Sequence, residues 1–386
     1  MSGHVARARL RSETTPTREA FREFVSREIS PHADIFDREE RIPDEVIQKI
    51  ADAGYLGAVI PAESGGLGLD MVSLGVLHEE MGRGCSSARS LLTVQTMVAF
   101  AILKYGSRGQ RIAWLPALAA GRAIAGFALT EPSAGSDASA MQMTAAKRDQ
   151  RFVLNGFKQW ITFGQIANVF LVFAKCDGKS TAFLVERDRP GLSIEPISGM
   201  LGTRASLLAR LTFVECEIPR ENLISGVGFG MAAVGAAALD LGRYSVACGC
   251  TGIAQACLDA SMQHADSRVQ FGAALRMHQL VSSLLSQIAV NVKAARLLCR
   301  HAGELKDAGD PSTVGETLVA KYFASTIATK AAADAVQIHG ALGCSSESSV
   351  QRYFRDAKVM EIIEGSSQMQ MLMIAEEAYA SNGAAA

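Results

Sequence analysis

The spacing of hydrophobic residues changes twice along the chain and divides it into three parts. Near the beginning, apolar residues such as Phe21, Phe24 and Ile29 recur at helical spacing. The middle part has short β-branched and aromatic segments separated by turn residues, and long helical patterns then return. We therefore expect an α+β, mainly α fold with three domains: an N-terminal helical domain (1–122), a middle antiparallel, barrel-like β domain (123–227) and a C-terminal four-helix bundle (228–386).

The pattern also predicts individual elements. In the first domain we expect a helix from Pro16 and further helices at 43–53, 71–81, 90–105 and 109–120. In the middle domain we expect strands at 124–130, 151–154, 169–174, 181–185 and 211–214. In the last domain we expect helices at 231–267, 277–306, 313–338 and 348–379. At 1.5 Å per residue these last helices are about 40 to 55 Å long, which suits a bundle.

Length and charge exclude several classes of protein. A chain of 386 residues is longer than a single core usually supports. The formal net charge is −1 and the basic residues are scattered, so we expect no nucleic-acid partner and no anionic membrane surface. No run approaches the roughly 20 apolar residues of a membrane-spanning helix. Residues 1–12 lack an apolar core, so we expect no secretory signal.

The eight cysteines do not predict a metal site. They form no CxxC pair and no zinc-type spacing, and most stand among apolar neighbours. We expect buried small hydrophobic side chains, no metal, and a reduced, cytoplasmic compartment.

Two glycine-rich stretches allow more than one interpretation. Glycines in segment 55–69 could cradle a phosphate, but the Lys-Ser/Thr of a P-loop is missing, so we interpret them as conformational. Gly226-Val-Gly-Phe-Gly230 resembles a dinucleotide-binding loop. It follows a polar turn and lacks the acidic residue expected about 20 positions later, so we interpret it as an interdomain hinge.

The last helical pattern breaks at Glu364 and Gly365. Ser367 with Gln370 has capping-box spacing, which predicts that a new helix starts there. A carboxylate at such a break is free to point between helices, where burial raises its pKa toward that of a general base. The apolar neighbours expected to bury it are Met360, Ile362, Ile363, Met369, Met371 and Leu372. The alternative is a Glu that is solvated at a helix end.

A loop after the first predicted strand carries candidate binding groups. In Phe127-Ala-Leu-Thr-Glu-Pro-Ser-Ala-Gly-Ser-Asp137, Gly135 and Ser136 can expose backbone N–H groups to the carbonyl oxygens of a polar heteroaromatic ring. By itself the loop could equally be a well-capped turn.

Five motifs together resemble the acyl-CoA dehydrogenase family, in the family's order and from about residue 16 to 379. They are the 127–137 loop, Lys158-Gln-Trp-Ile-Thr162, Arg268-Val-Gln-Phe-Gly272, Gln337-Ile-His-Gly340 and Glu364-Gly-Ser-Ser-Gln368. The resemblance implies one non-covalent FAD per subunit, a β domain between two helical domains, and a homotetramer built as a dimer of dimers.

The resemblance also implies which residues bind the flavin. The ring cradle corresponds to Phe127, Leu129, Thr130, Gly135 and Ser136, followed by Trp160, Ile161 and Thr162 along the isoalloxazine. Arg268 resembles the pyrophosphate anchor and Phe271 the ring near the adenine. Segments that reach FAD from a neighbouring subunit correspond to His278, Gln279, Gln337, His339, Gly340 and Ala341. A further flavin contact corresponds to Ser366, Ser367 and Gln368.

For catalysis, the resemblance assigns Glu364 as the base that removes the α-proton of an acyl thioester while hydride leaves the β-carbon for flavin N5. Some members place the base on the first long helix of the last domain; here Gly242 stands at that position. The substrate-side residues would be Ser136, Asp240, Arg243 and Gly365. Three departures occur: Ala341 replaces a usual Gly, Ser366 a commoner Thr and Cys344 a frequent aromatic residue.

Substrate identity is less well defined. Segments 85–95, 242–250 and 360–367 resemble dehydrogenases of polyketide biosynthesis, which implies a short acyl group on an acyl carrier protein, on the route to hydroxy- or methoxymalonyl units. The alternatives are an acyl-CoA dehydrogenase of fatty or branched-chain acid catabolism, a flavin oxidase or monooxygenase on the same fold, and a catalytically silent scaffold. The sequence does not identify the electron acceptor.

Overall fold

The computed structural model describes residues 16–383. The segment from which we expect no secretory signal and the alanine-rich end, residues 1–15 and 384–386, lie outside the described residues. The expected three-domain plan is confirmed: helices come first, a β domain follows, and a helical bundle closes the chain.

Between residues 16 and 122 the N-terminal domain contains six α-helices. They are α1 (Arg18–Phe24), α2 (Ala33–Glu39), α3 (Asp44–Asp52), α4 (Met71–Gly84), α5 (Ser86–Tyr105) and α6 (Arg108–Ala119). The Thr17 side chain accepts a hydrogen bond from the Ala20 N–H and so caps α1 one residue after the predicted start. Helix α2 was not predicted, and α5 begins four residues earlier than expected.

Helix α5 is the buried centre of this domain. By length and composition it could cross a membrane, contrary to our expectation that no such run exists, but 89% of its apolar window is buried inside the protein. Gln95, halfway along α5, is fully buried. Its Oε1 accepts from the Ala125 N–H at 2.9 Å, and its Nε2 donates to the Leu118 and Ala123 carbonyls, both at 3.0 Å. One amide side chain therefore joins α5 and α6 to the β domain.

The middle domain is an eight-stranded sheet. Its strands are β1 (Ala125–Ala128), β2 (Thr144–Arg148), β3 (Arg151–Ile161), β4 (Val169–Cys176), β5 (Lys179–Glu186), β6 (Leu192–Pro196), β7 (Ala209–Pro219) and β8 (Leu223–Ile224). The main order is β6-β7-β3-β2-β4-β5-β8. Strand β1 pairs with β4 in parallel, as β2 does at one position, so the sheet is mixed where we expected it to be antiparallel throughout.

The C-terminal domain is the expected bundle of long helices. Its helices are α7 (Ala236–Ser267), α8 (Gln279–Ala308), α9 (Thr313–His339), α10 (Val350–Met360) and α11 (Ser367–Gly383). A short hairpin of β9 (Val269–Gln270) and β10 (Ala273–Ala274) lies between α7 and α8. Helix α7 lies almost backbone to backbone against α4. A Cβ on Gly252 would lie 2.0 Å from the Glu79 carbonyl oxygen, so only glycine allows this approach.

The β domain contacts the C-terminal domain at α10. The Asp356 carboxylate accepts from the Thr203 N–H at 2.6 Å, and a Cβ on Gly202 would lie 2.4 Å from the Arg355 carbonyl oxygen. Burial raises the pKa of Asp356 to about 6, against the opposing effect of Arg352. This contact holds the sheet beside the end of α10, where the chain breaks before α11.

Cysteine placement follows the sequence prediction. Seven cysteines are buried, Cys344 is exposed, and all eight are free thiols. Among residues 16–383 no cluster of three His, Cys, Asp or Glu side chains is arranged to hold a metal ion.

Substituting Ala for Gly252 is expected to force α4 and α7 apart. Overpacking of this kind costs about 1–3 kcal/mol, so the midpoint of thermal unfolding should fall. The matched control is Gly109→Ala on the exposed face of α6, where nothing lies nearer than 3.8 Å, and its midpoint should stay equal or rise slightly. Equal midpoints for both variants would contradict the close helix contact.

Candidate active site

The break between α10 and α11 has two consecutive left-handed residues. Glu364 has φ +56° and Gly365 has φ +92°. A left-handed conformation is uncommon for a residue with a side chain and costs on the order of 1–3 kcal/mol, so the surrounding structure must hold it. The cap of α11 differs from our prediction: Ser366 Oγ accepts from the Met369 N–H at 3.4 Å, and Ser367 forms no capping box with Gln370.

Three side chains hold the two carbonyl groups of this break. The Glu364 carbonyl accepts from Arg243 Nε and from Gln370 Nε2, both at 3.2 Å. The Gly365 carbonyl accepts from Lys321 Nζ at 2.7 Å and from Gln370 Nε2 at 3.3 Å. We call Arg243, Lys321 and Gln370 the carbonyl clamp. They come from α7, α9 and α11, so the break is fixed by three different helices.

The Glu364 carboxylate itself is left without a hydrogen bond at Oε2, which is buried. Burial raises the pKa of this carboxyl to about 7, while the positive charges of Arg243, Lys321 and Arg89 oppose the rise. The carboxylate lies against Gly242, where a Cβ would be 2.7 Å from Oε2. Gly242 therefore makes the space that the carboxylate occupies.

The expectation of a raised pKa is confirmed, but its proposed cause was only partly right. Of the apolar neighbours in sequence, Met360 is buried, whereas Ile362 and Leu372 are each 60% exposed. Across the bundle, Met97 of α5 and Gly242 of α7 also lie beside the carboxylate and add to its burial.

A buried ion pair supports the loop that we assigned to the flavin. Lys158 Nζ donates to Glu131 Oε1 and to the Leu129 carbonyl, both at 2.8 Å. Burial lowers the pKa of Lys158 to about 8, and Glu131 opposes that shift. The loop ends in Gly135 and Ser136, which are exposed as expected and whose N–H groups make no hydrogen bond within residues 16–383. Sequence analysis gave no role to Glu131 or Lys158.

The end of β3 lies beside that loop. The Gln159 N–H donates to the Thr130 carbonyl at 2.9 Å, which places Thr130 next to Trp160. Trp160 has φ +62° and is 46% exposed, whereas Ile161 is buried and Thr162 is half-buried. Phe127 and Leu129, half-buried, pack on the main core. The structure thus brings together the two segments predicted to hold the flavin ring.

The residues assigned to the adenine end of FAD form a second group. The Phe271 ring is 98% exposed and meets His278 edge to face at 6.3 Å. The His339 ring stacks at 4.3 Å on His264, whose carbonyl accepts from the Arg268 N–H. The other predicted members are all exposed: Gln279, Gln337, Gly340 and Ala341.

This second group is far from Glu364 in the same chain. Gly242, in the second turn of α7, and Arg268, the residue after its last turn, are 26 residues apart, which corresponds to about 40 Å. The assignment of Arg268 to the pyrophosphate and of Phe271 to the adenine stays a prediction, as does that of residues 278–279 and 337–341 to the FAD of a neighbouring subunit.

Asp240 makes its ion pair away from the break. It forms an ion pair with Lys306 of α8, and its Oδ1 is buried without a partner. Its predicted contact with substrate stays a prediction. Of the three residues assigned to the last flavin contact, Ser367 is buried and Gln368 is exposed. Their side chains therefore do not share one surface.

The sequence analysis missed a series of buried polar side chains that are joined by hydrogen bonds between α4, α5 and α7. Arg89 is fully buried; its guanidinium donates to Thr93 Oγ1 at 2.8 Å and Ser90 Oγ at 3.1 Å, and its Nε has no partner. Thr93 Oγ1 lies 2.6 Å from Ser245 Oγ, which lies 3.2 Å from His78 Nδ1. Within the described residues Arg89 forms no ion pair. A buried Arg in a polar helix segment carries no periodic signal by which sequence could reveal it.

Comparison with known proteins identifies the family. Models of the N-terminal, middle and C-terminal domains of acyl-CoA dehydrogenases match residues 11–122, 126–216 and 228–379. The mitochondrial short-chain specific acyl-CoA dehydrogenase of Rattus norvegicus is 38% identical over 364 residues, covering 93% of this chain and 88% of the relative. The chain belongs to the acyl-CoA dehydrogenase family.

Two solved structures of this family are similar over nearly the whole chain. Glutaryl-coenzyme A dehydrogenase in its glutaryl-CoA complex has a TM-score of 0.91 and 35% identity, covering 94% of both chains. FkbI, described as serving biosynthesis of the methoxymalonyl extender unit of the polyketide Fk520, has a TM-score of 0.87 and 34% identity, covering 95% of this chain and 99% of its own.

As a member of this family, the chain is an FAD-dependent oxidoreductase of the acyl-CoA dehydrogenase type. Its residues fit the cofactor. The unbonded N–H groups of Gly135 and Ser136 can serve the flavin carbonyls, and Trp160 is an exposed aromatic surface beside them. The N–H groups of Glu364 and Gly365, at the start of α11, also make no hydrogen bond within residues 16–383.

A methyl group at position 242 is expected to displace the Glu364 carboxylate. In Gly242→Ala the new Cβ would lie 2.7 Å from Glu364 Oε2, and a misplacement of about 1 Å costs about 100-fold in rate. Activity per bound flavin should fall by that factor while flavin content stays unchanged. The control is Gly235→Ala, where the nearest atom, at 2.8 Å, belongs to the flexible Met231 side chain. Full activity of Gly242→Ala would contradict the placement of the carboxylate.

Proposed function

We propose that this protein catalyses FAD-dependent α,β-dehydrogenation of a short acyl thioester, with Glu364 as the base. The observation that carries this proposal is a buried carboxylate with a pKa of about 7, free of hydrogen bonds at Oε2 and held at a helix break. A carboxylate with such a pKa is deprotonated in part at neutral pH and is a stronger base than a solvated one. When bound, FAD accepts the hydride that leaves the β-carbon.

The main chain at the break suits recognition of a thioester. The Glu364 carbonyl is occupied by the carbonyl clamp, whereas the Glu364 N–H makes no hydrogen bond within the described residues. That N–H would donate to the thioester carbonyl and so make the neighbouring α-proton more acidic. Gly365 has no side chain to block the approach. Arg243 acts here by fixing the break through the Glu364 carbonyl.

The acyl group, we propose, ends in a carboxylate. Arg89 is a fully buried cation without an ion pair in residues 16–383, and a buried charge without a counter-ion is costly. Its Cδ would lie 2.5 Å from a Cβ on Gly249, whereas Glu364 lies beside Gly242. These glycines are two turns apart on α7, or about 10 Å. An acyl chain of a few carbons, with its thioester at Glu364, would span this distance.

The acyl group would be carried on an acyl carrier protein in a natural-product pathway. The support is the resemblance of segments 85–95, 242–250 and 360–367 to dehydrogenases of polyketide pathways, together with the similarity to FkbI. The second candidate is a catabolic acyl-CoA dehydrogenase, which the 38% identity to the rat short-chain enzyme favours equally. The two candidates differ in the carrier and not in the chemistry of Glu364.

We further propose a cytoplasmic homo-oligomer, a dimer of dimers. Support comes from apolar side chains that are exposed in one subunit near the adenine-end residues and along α8: Phe271 (98%), Leu280 (83%), Val290 (67%) and Leu297 (61%). Burial of this surface by another subunit would bring Phe271 toward that subunit's flavin. The electron acceptor is not part of the proposal.

Anaerobic reduction of the bound flavin tests the reaction. Wild-type protein should bleach with a short acyl thioester, faster on a holo-carrier protein than on CoA, whereas Glu364→Gln should keep its yellow colour, because the α-proton has no acceptor. Equal rates on the two carriers would favour the catabolic candidate. Stoichiometric peroxide release in air would favour an oxidase, and full turnover by Glu364→Gln would overturn the assignment of the base.

Substitution of Arg89 tests the acyl group. Wild-type protein should prefer glutaryl or succinyl thioesters to butyryl thioester, and Arg89→Met, which keeps the volume, should lose about tenfold or more in kcat/KM for the carboxylated substrates only. Arg300→Met, on the exposed face of α8, is the matched control and should behave like wild type. An unchanged preference in Arg89→Met would contradict the proposal.

A further inference from the structure

Lys321 is bonded differently from the other well-buried lysines of this protein. Lys158 pairs directly with Glu131, and Lys306 pairs directly with Asp240. Lys321 is fully buried, forms no ion pair within residues 16–383, and donates to the Gly365 carbonyl at 2.7 Å. A buried ammonium group normally has a carboxylate partner. Here a main-chain carbonyl takes that place, next to a carboxylate that makes no hydrogen bond at Oε2.

This arrangement has a chemical consequence. A direct ion pair between Lys321 and Glu364 would hold the carboxylate and stabilise its charged form strongly, which would make it a poor base. By donating to the neighbouring carbonyl, the ammonium group supplies positive charge without occupying the carboxylate oxygens. The negative charge of Glu364 in turn offsets part of the cost of burying Lys321.

We propose that Lys321 is a positioning residue of the active site: it holds the Gly365 carbonyl so that the Glu364 carboxylate stays beside Gly242, and it supplies the positive charge that keeps that carboxylate ionised. The inference rests on the proposed role of Glu364 as base. Holding the break and supplying charge are then two separable functions of the carbonyl clamp. Gln370 binds the Gly365 carbonyl that Lys321 binds, and the Glu364 carbonyl as well, but it carries no charge.

The charged groups that surround Glu364 come from three helices. Arg89 belongs to α5, Arg243 to α7 and Lys321 to α9, and each of them lowers the pKa of the carboxyl against the effect of burial. Glu361 raises the pKa of Lys321 and Arg243 lowers it. Cys250 also lies nearby, but burial raises the pKa of its thiol to about 12, so it stays neutral and adds no charge. Burial lowers the pKa of Lys321 to about 8, so near pH 7 the ammonium form prevails.

The sign of the expected effect follows from these charges. The ammonium group of Lys321 favours the carboxylate form of Glu364, so its removal must raise the pKa of Glu364. The base is active only when deprotonated, so the acid limb of the pH profile must move to higher pH. A shift of about one pH unit corresponds to about a tenfold loss of rate at a pH below both midpoints.

The test compares Lys321→Met with Gln370→Leu in the FAD-loaded enzyme. The protonation midpoint of Glu364 is measured without substrate, from the carboxyl band in infrared difference spectra that Glu364→Gln lacks. It should move upward by about one unit in Lys321→Met and stay at the wild-type value in Gln370→Leu, although both variants lower the unfolding temperature. The pH profile of flavin reduction should shift in parallel.

Two results would overturn the proposal. An unchanged midpoint in Lys321→Met would mean that its charge does not act on the base, and equal shifts in both variants would mean that any loosening of the break has the same effect. If Lys321→Met does not fold, Lys321→Gln keeps a donor for the Gly365 carbonyl and should show the same shift. Because the infrared midpoint needs no substrate, failure of the proposed dehydrogenation would leave this result interpretable.

Discussion

The structure depends on holding the Glu364 carboxylate inside the protein with no hydrogen bond at Oε2. A buried carboxylate usually either gains a direct cationic partner or takes up a proton. Glu364 gains no direct cationic partner, because the hydrogen bonds go to its own carbonyl and to that of Gly365. It is protonated only in part near neutral pH, because the surrounding positive charges act on it through space and oppose the effect of burial. The left-handed backbone of Glu364 and Gly365 accompanies this arrangement. The two carbonyl groups meet the clamp, and the carboxylate lies on the side of Gly242.

All three domains are needed to maintain that geometry. Helix α5 shields the carboxylate with Met97, and through Gln95 the same helix anchors the first strand of the sheet. The sheet in turn is held against α10 by the bond between Thr203 and Asp356, just before the break. The close contact of Gly252 with Glu79 packs α7, which carries Arg243 of the clamp, against α4 of the N-terminal domain. A small shift in one helix contact would therefore be transmitted to the position of the base.

The sequence predicted the plan of the fold and a carboxylate with a raised pKa at the helix break, but not the interactions that hold Glu364 there. Periodicity found the long helices because their apolar faces repeat over many turns. It missed β2 and β6, whose residues are mostly exposed, and it could not show that β1 runs parallel to β4, since strand direction depends on which strands become neighbours. The raised pKa of Glu364 was predicted from neighbours in sequence, although part of the shielding comes from residues more than 100 positions away. Lys321 gave no signal, and the contacts of Gln370 and Arg89 were not foreseen, because a polar residue on a buried helix face looks like any other until its partners are known.

The charge balance around the break connects the base with the choice of substrate. Arg89, Arg243 and Lys321 are three cations that act on the Glu364 carboxylate, an excess of positive charge at this side chain. Asp356 and Glu361 offset part of that excess at Arg89 and Lys321. That excess limits how far burial can raise the pKa of Glu364, and it keeps the base ionised in part near neutral pH. The positive charge of Arg89 is also left only partly neutralised, and because Arg89 is buried, water cannot solvate that charge. An uncharged acyl chain would leave this excess in place, whereas an acyl group with its own carboxylate would neutralise it. The positive charge that, as we propose, keeps Glu364 available as a base would therefore also favour the anionic substrate proposed above.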